Sequence, residues 1–547
     1  MLSKASNRRF LMYYDNKIWI GDSNGEKVYI HPKMANRHGL IAGATGTGKT
    51  ITLKVLAESF SDAGVPVFLS DVKGDLSGMC RPGKDSENMQ ERIKYFGLES
   101  CGFNYDSYPS AFWDVYGKMG IPLRTTISEM GPVLLAKLMD LNQTQTDVLT
   151  VLFKIADDNE LLLIDTKDLK AMLQFIGENS KELSSEYGNL PKQSINAILR
   201  NIVALEAQGA ENFFAEPALN IADWFATGIN GKGVINILDC RQLMNSPAMY
   251  STFLLWMMSE LFEVLPEVGD MDKPRMIFFF DEAHLLFDGI SKALRDKIEQ
   301  VVKLIRSKGV GIYFITQSPK DIPDEILAQL GNKIQHALRA YTPTEEKAVK
   351  AAANSFRTNP AFDTKEVLTQ MGTGEALISA LDEDGIPGIV KRCKILPPKS
   401  LMGPISDEEK LNETKMNNLF LRYEKMVDRD SAYEFLQRQN IADAEAEEAE
   451  LLKKQQEKEE LSAAKSAEKE RKKAEEKAAR EREKAAAKQQ KAVKSTVNKV
   501  ARTAGGTIGR EIGNTIGKSI GGSFGKKIGG NVGASLGRNL LGTFLKF

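Results

Sequence analysis

The chain has 547 residues, which exceeds one compact domain and predicts roughly three to four structural units of ~150 residues each. Hydrophobic residues make up 42% and charged residues 27%, a balance that excludes collagen-like and wholly disordered proteins. The 73 Lys and Arg residues equal the 73 Asp and Glu residues, but residues 441–547 hold 23 basic and 15 acidic residues, which leaves −8 on residues 1–440.

The apolar runs and the cysteine spacing predict where in the cell the protein is located and whether it has zinc sites or disulfides. The first 21 residues lack the apolar stretch of a signal peptide, and no run reaches the ~20 apolar residues of a membrane-spanning helix. We therefore expect a cytoplasmic protein. Neither a zinc knuckle nor a disulfide framework is indicated, because the four cysteines are scattered and form no CxxC pair: Cys80, Cys101, Cys240 and Cys393.

Changes in pattern along the chain predict six parts. Short apolar runs alternate with helical patterns up to about residue 440, which is typical of α/β proteins. Composition then becomes charged and later glycine-rich. The parts are a short N-terminal β segment (1–38), an α/β core (39–81 and 231–400), an inserted helical subdomain (82–230), a helical extension (401–440), a charged helix (441–504) and a glycine-zipper tail (505–547).

Five apolar runs predict the strands of a parallel sheet. RMIFFFD has five consecutive apolar residues, as expected of a strand that is buried on both faces. A long helical insertion is predicted between the second run and the third. The runs are GLIAG (39–43), VPVFLS (65–70), GVINILD (233–239), RMIFFFD (275–281) and GVGIYFIT (309–316).

The first of these strands leads into a complete phosphate-loop motif, G-x-x-x-x-G-K-[ST], at residues 43–50. Glycines let the backbone N–H groups surround phosphates at a helix N-terminus, whose dipole favours anions. We expect Lys49 to reach the β and γ phosphates of ATP and the Thr50 hydroxyl to bind Mg²⁺. The predicted nucleotide contacts are Gly43, Thr45, Gly46, Thr47, Gly48, Lys49, Thr50 and Ile51.

Two carboxylates end the fourth predicted strand, in the pattern of a Walker B motif. Asp281 is predicted on the Mg²⁺ side, and Glu282 is predicted to be the base that activates the attacking water. An alternative is that the pair only caps the next helix. His284 completes the letters DEAH, but we find no second RecA-like half after Glu282, so a DEAH-box helicase is not supported.

Polar residues also follow two neighbouring predicted strands. Gln317, after the strand that ends at residue 316, can sense the γ-phosphate or the attacking water, or it can simply begin a loop. Asp71, Lys73 and Asp75 follow the second strand at the edge where α/β sheets bind ligands. They could orient the site, contact a neighbouring subunit or form a plain turn.

Ring ATPases usually need an arginine from outside the site, which neutralises charge in the transition state. The candidates are Arg306 and Arg339, with Arg357 third. Spacing does not choose among them, and a surface salt bridge is the favoured interpretation for any single one of them.

The last hundred or so residues are predicted to form an extended segment rather than another globular domain. Residues 451–490 contain 22 charged residues without Pro or Gly, which predicts an exposed helix. Glycine then recurs every fourth position from Gly505 to Gly537. This spacing favours close packing on a partner surface, and the net +5 of residues 505–547 would suit peripheral contact with an anionic membrane. A disordered tail is the alternative.

Five segments in this order resemble the bacterial HerA-like (YjgR-type) ATPases of the FtsK/HerA superfamily. The resemblance covers about residues 28–435 and implies a RecA-like P-loop NTPase core, hexameric rings and motor action on DNA. It also implies Walker A roles for Gly48, Lys49 and Thr50, Walker B roles for Asp281 and Glu282, and a sensor role for Gln317. The segments are HPKMANRHGLIAGATGTGKT, SDVKGDLSG, GPVLLAKLMDLNQTQ, FFFDEAHLLF and RSKGVGIYFITQSP.

Two departures from the family matter. The 38 residues before the strand that leads into the phosphate loop are too few for the N-terminal β-barrel of archaeal HerA, and the glycine-zipper tail is no part of that motor. The sequence therefore leaves two functions open. One is a ring-forming ATP-driven DNA translocase or helicase; the other is an ATP-fuelled switch that acts on a protein partner or at a membrane through the tail.

Overall fold

A computed structural model describes residues 13–14, 16–269, 271–287 and 292–491, with the backbone alone at residues 14, 292–294 and 485–491. Two compact units are present. The first comprises the described residues within Met1–Lys154, Leu162–Lys170 and Lys192–Arg429, and the second comprises those within Ile155–Leu161, Ala171–Pro191 and Asp430–Phe547.

Strands and helices alternate along much of the described chain. The strands are β1 (Tyr13–Tyr14), β2 (Lys17–Ser23), β3 (Glu26–Ile30), β4 (Gly39–Ala42), β5 (Val67–Asp71), β6 (Ser110–Asp114), β7 (Ile121–Pro122), β8 (Ile235–Asp239), β9 (Met276–Phe280), β10 (Val310–Thr316), β11 (Asn332–His336), β12 (Glu375–Ser379) and β13 (Lys391–Ile395). The helices are α1 (Pro32–Ala35), α2 (Lys49–Asp62), α3 (Glu87–Tyr95), α4 (Ile127–Leu138), α5 (Gln143–Asp158), α6 (Thr166–Glu178), α7 (Ser180–Tyr187), α8 (Lys192–Glu206), α9 (Ala210–Phe213), α10 (Pro247–Val264), α11 (His284–Phe287), α12 (Lys292–Ile305), α13 (Asp324–Leu327), α14 (Pro343–Asn354), α15 (Thr364–Gln370), α16 (Asp407–Met416), α17 (Asn418–Tyr423) and α18 (Ala432–Lys491).

All strands of the described residues belong to one sheet. Its order is β1-β2-β13-β12-β11-β4-β10-β9-β5-β8-β6-β7, and β3 pairs with β2. The run from β11 to β7 is parallel, whereas β12, β13 and β1 to β3 add an antiparallel side. The predicted α/β class with a mainly parallel sheet is confirmed, and each of the five predicted strands is present.

Aromatic side chains fill both faces of the central strands. Successive residues of a strand point to opposite faces, so Phe279 packs against Phe60 of α2, with ring centroids 6.4 Å apart. On the other face, Phe68 lies 5.2 Å from Phe278 and 4.7 Å from Trp224. Burial on both faces explains why these strands read as unbroken apolar runs.

The segment 82–230 supplies more than helices. Helices α4 to α9 lie within it, but β6 and β7 also do, and β6 pairs in parallel with β8. These two strands were not predicted from the sequence, because a run such as SAFWD is too short for periodicity to separate a strand from a helix. The first unit ends with α16 and α17.

The second unit contains α18, a helix of 60 residues. Its charged side chains form pairs one turn apart, such as Lys454–Glu450 at 2.7 Å and Lys472–Glu468 at 2.8 Å, which support an exposed helix. The glycine-zipper tail at 505–547 lies outside the described residues. Within the described part of the chain, no helix combines the length and the apolar character needed to cross a membrane.

We predict that Phe68→Ala lowers the free energy of unfolding of the first unit by about 3–5 kcal/mol, because it opens a cavity in the aromatic core. Urea unfolding followed by tryptophan fluorescence measures the change. Tyr341→Ala is the matched control, since Tyr341 is 86% exposed, and it should change stability by less than about 0.5 kcal/mol. Equal effects of both substitutions would contradict this description of the core.

Candidate active site

The phosphate loop runs from the end of β4 to the start of α2. Gly46 and Gly48 have φ values of 77° and 112°, in the left-handed region that favours glycine. A Cβ atom at Gly43 would lie 2.5 Å from the Cβ of His336, so that position has no room for a side chain. Lys49 Nζ donates hydrogen bonds to the carbonyls of Gly43 (2.6 Å) and Ala44 (3.1 Å). The ammonium group therefore lies against the loop where phosphates would sit.

A second loop, residues 372–375, braces the phosphate loop from the antiparallel side of the sheet. The Gly374 N–H donates to the Thr47 carbonyl at 3.0 Å. His336 Nε2 lies 2.8 Å from Thr52 Oγ1, and its Nδ1 lies 2.9 Å from the Glu375 carbonyl. The His336 ring thus joins α2 to β12. Sequence reasoning missed this contact, because no local pattern links residues so far apart in the chain.

The two Walker B carboxylates follow β9 directly, at the same edge of the sheet. The Asp281 N–H donates to Ser70 Oγ at 2.9 Å, and the Ala283 N–H donates to the Ile315 carbonyl at 2.8 Å. These bonds fix the turn after β9 to β5 on one side and to β10 on the other. Burial raises the pKa of Asp281 to about 6.

Both oxygens of the Glu282 carboxylate have partners. Lys73 Nζ lies 2.9 Å from Oε1, while Gln317 Nε2 and His284 Nδ1 each lie 3.4 Å from Oε2. Burial is the largest single effect and acts to raise the pKa of Glu282, but the hydrogen bond and charge of Lys73, together with Gln317 and His284, outweigh it and lower the pKa. Glu282 is therefore a buried, ionised carboxylate. The structure brings together Glu282, Gln317 and Lys73, which follow the neighbouring strands β9, β10 and β5.

Two clefts flank the phosphate loop. The first, of about 770 Å³, is lined by Ala44, Thr45, His284, Gln317 and Arg339, among others. It opens on the side of the Walker B turn. The second has a volume of about 720 Å³, and its lining residues on the far side of the loop include Gly48, Ile51, Arg92, Tyr95 and Lys394. Together they give space on both sides of the loop for an elongated ligand.

The candidate arginines lie in different places. Arg339 lines the first cleft, and its guanidinium donates to the carbonyls of Thr369 and Met371. Arg306 precedes β10, so it lies at the amino edge of the sheet, opposite the phosphate loop. Arg357 donates to the Pro387 carbonyl at 3.4 Å. The structure thus brings Arg339, but not Arg306, to the phosphate loop of its own chain.

A phosphate loop between a buried strand and a helix, with an ionised glutamate at the end of the parallel strand one removed in the sheet, defines a P-loop ATPase. The sequence model of the family described as "Helicase HerA-like C-terminal" matches residues 16–528. The chain belongs to this HerA-like family, as the resemblance had predicted.

Curated relatives include archaeal helicases. A protein named as a probable helicase of Methanocaldococcus jannaschii is 28% identical over 169 residues, which are 29% of this chain and 30% of that protein. The "DNA double-strand break repair helicase HerA" of Sulfurisphaera tokodaii is 23% identical over 379 residues, 67% of each chain. The match thus spans under a third of the first protein's length and about two thirds of the second's.

Solved structures similar to this chain include a plasmid coupling protein. TrwB in complex with the ATP analogue ADPNP has a TM-score of 0.47 and 13% identity, and the match covers 74% of this chain and 95% of that chain. VirB4 of Thermoanaerobacter pseudethanolicus has a TM-score of 0.44 and 16% identity, with 70% and 96% covered.

We predict that the His336 ring makes the fold sensitive to acid. Burial lowers the pKa of His336 to about 4, below its ordinary value of 6.5. The stability contributed by the neutral ring is therefore present above about pH 6.5 and is lost as pH falls towards 4. Between about pH 7 and pH 5, the wild type should lose about 2 kcal/mol more than His336→Gln.

Urea unfolding at the two pH values measures this difference. His31→Gln is the control: partial burial also lowers the pKa of His31, but less than full burial lowers that of His336, so this variant should change the pH dependence less than His336→Gln does. Parallel curves for the wild type and His336→Gln would contradict the prediction.

Proposed function

We propose that this protein is a motor that hydrolyses ATP to translocate or unwind DNA. The observation that carries the proposal is the ionised Glu282, held beside a complete phosphate loop in a chain of the HerA-like family. Two similar archaeal proteins are named as DNA repair helicases, which supports DNA as the substrate.

Each residue around the nucleotide would have its own function in ATP hydrolysis. The N–H groups of the loop and Lys49 would bind the β and γ phosphates, and Glu282 would accept the proton of the attacking water. Gln317 reaches Glu282 at 3.4 Å, so it would orient that water against the γ-phosphate. The nucleoside would lie in the second cleft, beside Ile51 and Tyr95.

A Mg²⁺ ion fits the oxygen ligands of this site. Among the described residues, no cluster of three or more His, Cys, Asp or Glu side chains could hold a metal ion on its own. Mg²⁺ usually binds through one or two protein oxygens together with phosphates and water. Thr50 and Asp281 are the residues that would hold it, and the ion would neutralise charge on the phosphates.

A ring of subunits, such as a hexamer, would complete the site. Arg306 lies at the edge of the sheet opposite its own phosphate loop, so it could act only on the nucleotide of a neighbouring subunit. Arg339 lies in the first cleft of its own chain and would act within the subunit. Both arginines would stabilise the charge of the transition state.

One observation favours a second function. Residues 1–440 carry a net charge of −8, and affinity for DNA depends on how many phosphates a protein neutralises. An ATP-fuelled switch that acts on a protein partner, or at a membrane through the basic tail, would not need that neutralisation.

We predict that double-stranded or single-stranded DNA raises the steady-state ATPase rate at least about threefold at low salt, and that the effect fades as salt competes for the phosphates. A coupled phosphate-release assay across a range of salt measures it. Lys49→Ala should lose nucleotide binding, while Glu282→Gln should keep binding and lower turnover at least about 100-fold.

Two results would refute different parts of the proposed function. A Glu282→Gln protein with normal turnover would refute the base assignment. A rate that no form of DNA changes, with turnover otherwise intact, would refute the DNA motor and favour the protein-directed switch.

A further inference from the structure

A rigid turn follows β5 and presents Lys73 to the active site. Asp71 Oδ1 accepts hydrogen bonds from the N–H groups of Gly74 (2.8 Å) and Asp75 (3.2 Å), and Oδ2 accepts one from Leu76 (3.2 Å). Gly74 has a φ of 78°, which this tight turn requires. The buried Asp71 carboxylate thus organises the backbone on which Lys73 stands.

The two side chains of the Lys73–Glu282 ion pair differ in their exposure to solvent. The Lys73 side chain is 44% exposed, whereas that of Glu282 is 9% exposed. The amine can therefore turn towards a ligand, while the carboxylate stays in place. The charge of Lys73 also contributes to lowering the pKa of Lys49, after the larger effect of burial. The two ammonium groups are thus close enough for their charges to repel each other.

The paired carboxylate is poorly placed to accept a proton. Lys73 occupies Oε1, and Gln317 and His284 contact Oε2. Each carboxylate oxygen can accept two hydrogen bonds, so an attacking water can still reach Glu282. The positive charge of Lys73 nevertheless weakens this carboxylate as a base, and Glu282 would accept a proton more readily once Lys73 has left. A γ-phosphate carries more negative charge than the Glu282 carboxylate. It would therefore compete with that carboxylate for the Lys73 ammonium group.

We propose that Lys73 switches partners with the nucleotide state: it pairs with Glu282 when no γ-phosphate is present and moves to the γ-phosphate when ATP binds. The switch frees Glu282 Oε1 for the attacking water only when there is a phosphate to cleave. This inference rests on the proposed ATPase role of Glu282, and it assigns to Lys73 the discrimination of ATP from ADP.

A double-mutant cycle on nucleotide affinity tests the switch, since coupled residues give non-additive effects. The probes are a hydrolysis-resistant ATP analogue and ADP, each with Mg²⁺, measured by calorimetry. Glu282→Gln releases Lys73 and should tighten the analogue about tenfold; Lys73→Met should weaken it about tenfold. ADP affinity should stay within about twofold in both variants.

In the Lys73→Met background, Glu282→Gln should no longer tighten the analogue. Lys73→Arg, which keeps the charge, should preserve most of the preference for the analogue over ADP. Lys170→Met is the matched control, because Lys170 also forms an ion pair, 2.7 Å from Glu206, and it should leave both affinities unchanged.

Two results would overturn the inference. One is an equal tightening by Glu282→Gln with and without Lys73; the other is an equal loss of ADP and analogue affinity in Lys73→Met. A wild-type protein that binds neither nucleotide would instead refute the proposed function, and the switch with it.

Discussion

The parallel pairing of β4 with β10 and β11 is the constraint on which the candidate site depends. Parallel strands deliver their carboxyl ends to one edge of a sheet, and β9 and β5 continue the same edge. The phosphate loop, the two Walker B carboxylates, Gln317 and Lys73 come from four separate stretches of chain. They meet because each stretch follows one of these strands, so the sheet itself assembles the chemistry.

Hydrogen bonds from two buried side chains anchor the helix that carries the phosphate loop. Glu58 of α2 accepts hydrogen bonds from the N–H groups of Lys399 (2.7 Å) and Ser400 (3.1 Å), and Lys54 Nζ donates to the Leu401 carbonyl at 2.5 Å. A buried carboxylate without such partners would be strongly destabilising. Because residues 399–401 follow the last strand, these bonds tie the end of the sheet to the helix that begins at Lys49.

Sequence reasoning predicted the parts of this protein that local pattern specifies. The phosphate loop, the strand before Asp281 and Glu282, and the α/β class each follow from spacing or from an unbroken apolar run. Strands β6, β11 and β12 were not predicted, because they are short and mix polar with apolar residues. The partners within the site, such as Lys73 with Glu282 or His336 with Thr52, depend on tertiary packing that no local signal reveals.

We propose that the nucleotide binds at the carboxyl edge of the parallel strands. Amide hydrogen exchange with and without a hydrolysis-resistant ATP analogue and Mg²⁺ tests it most directly, because bound ligand slows exchange where it contacts or orders the backbone. We predict protection at residues 43–50, 281–283 and 316–318, and none at residues 306–309 on the amino edge. Protection of the amino edge, with the phosphate loop unchanged, would contradict this claim.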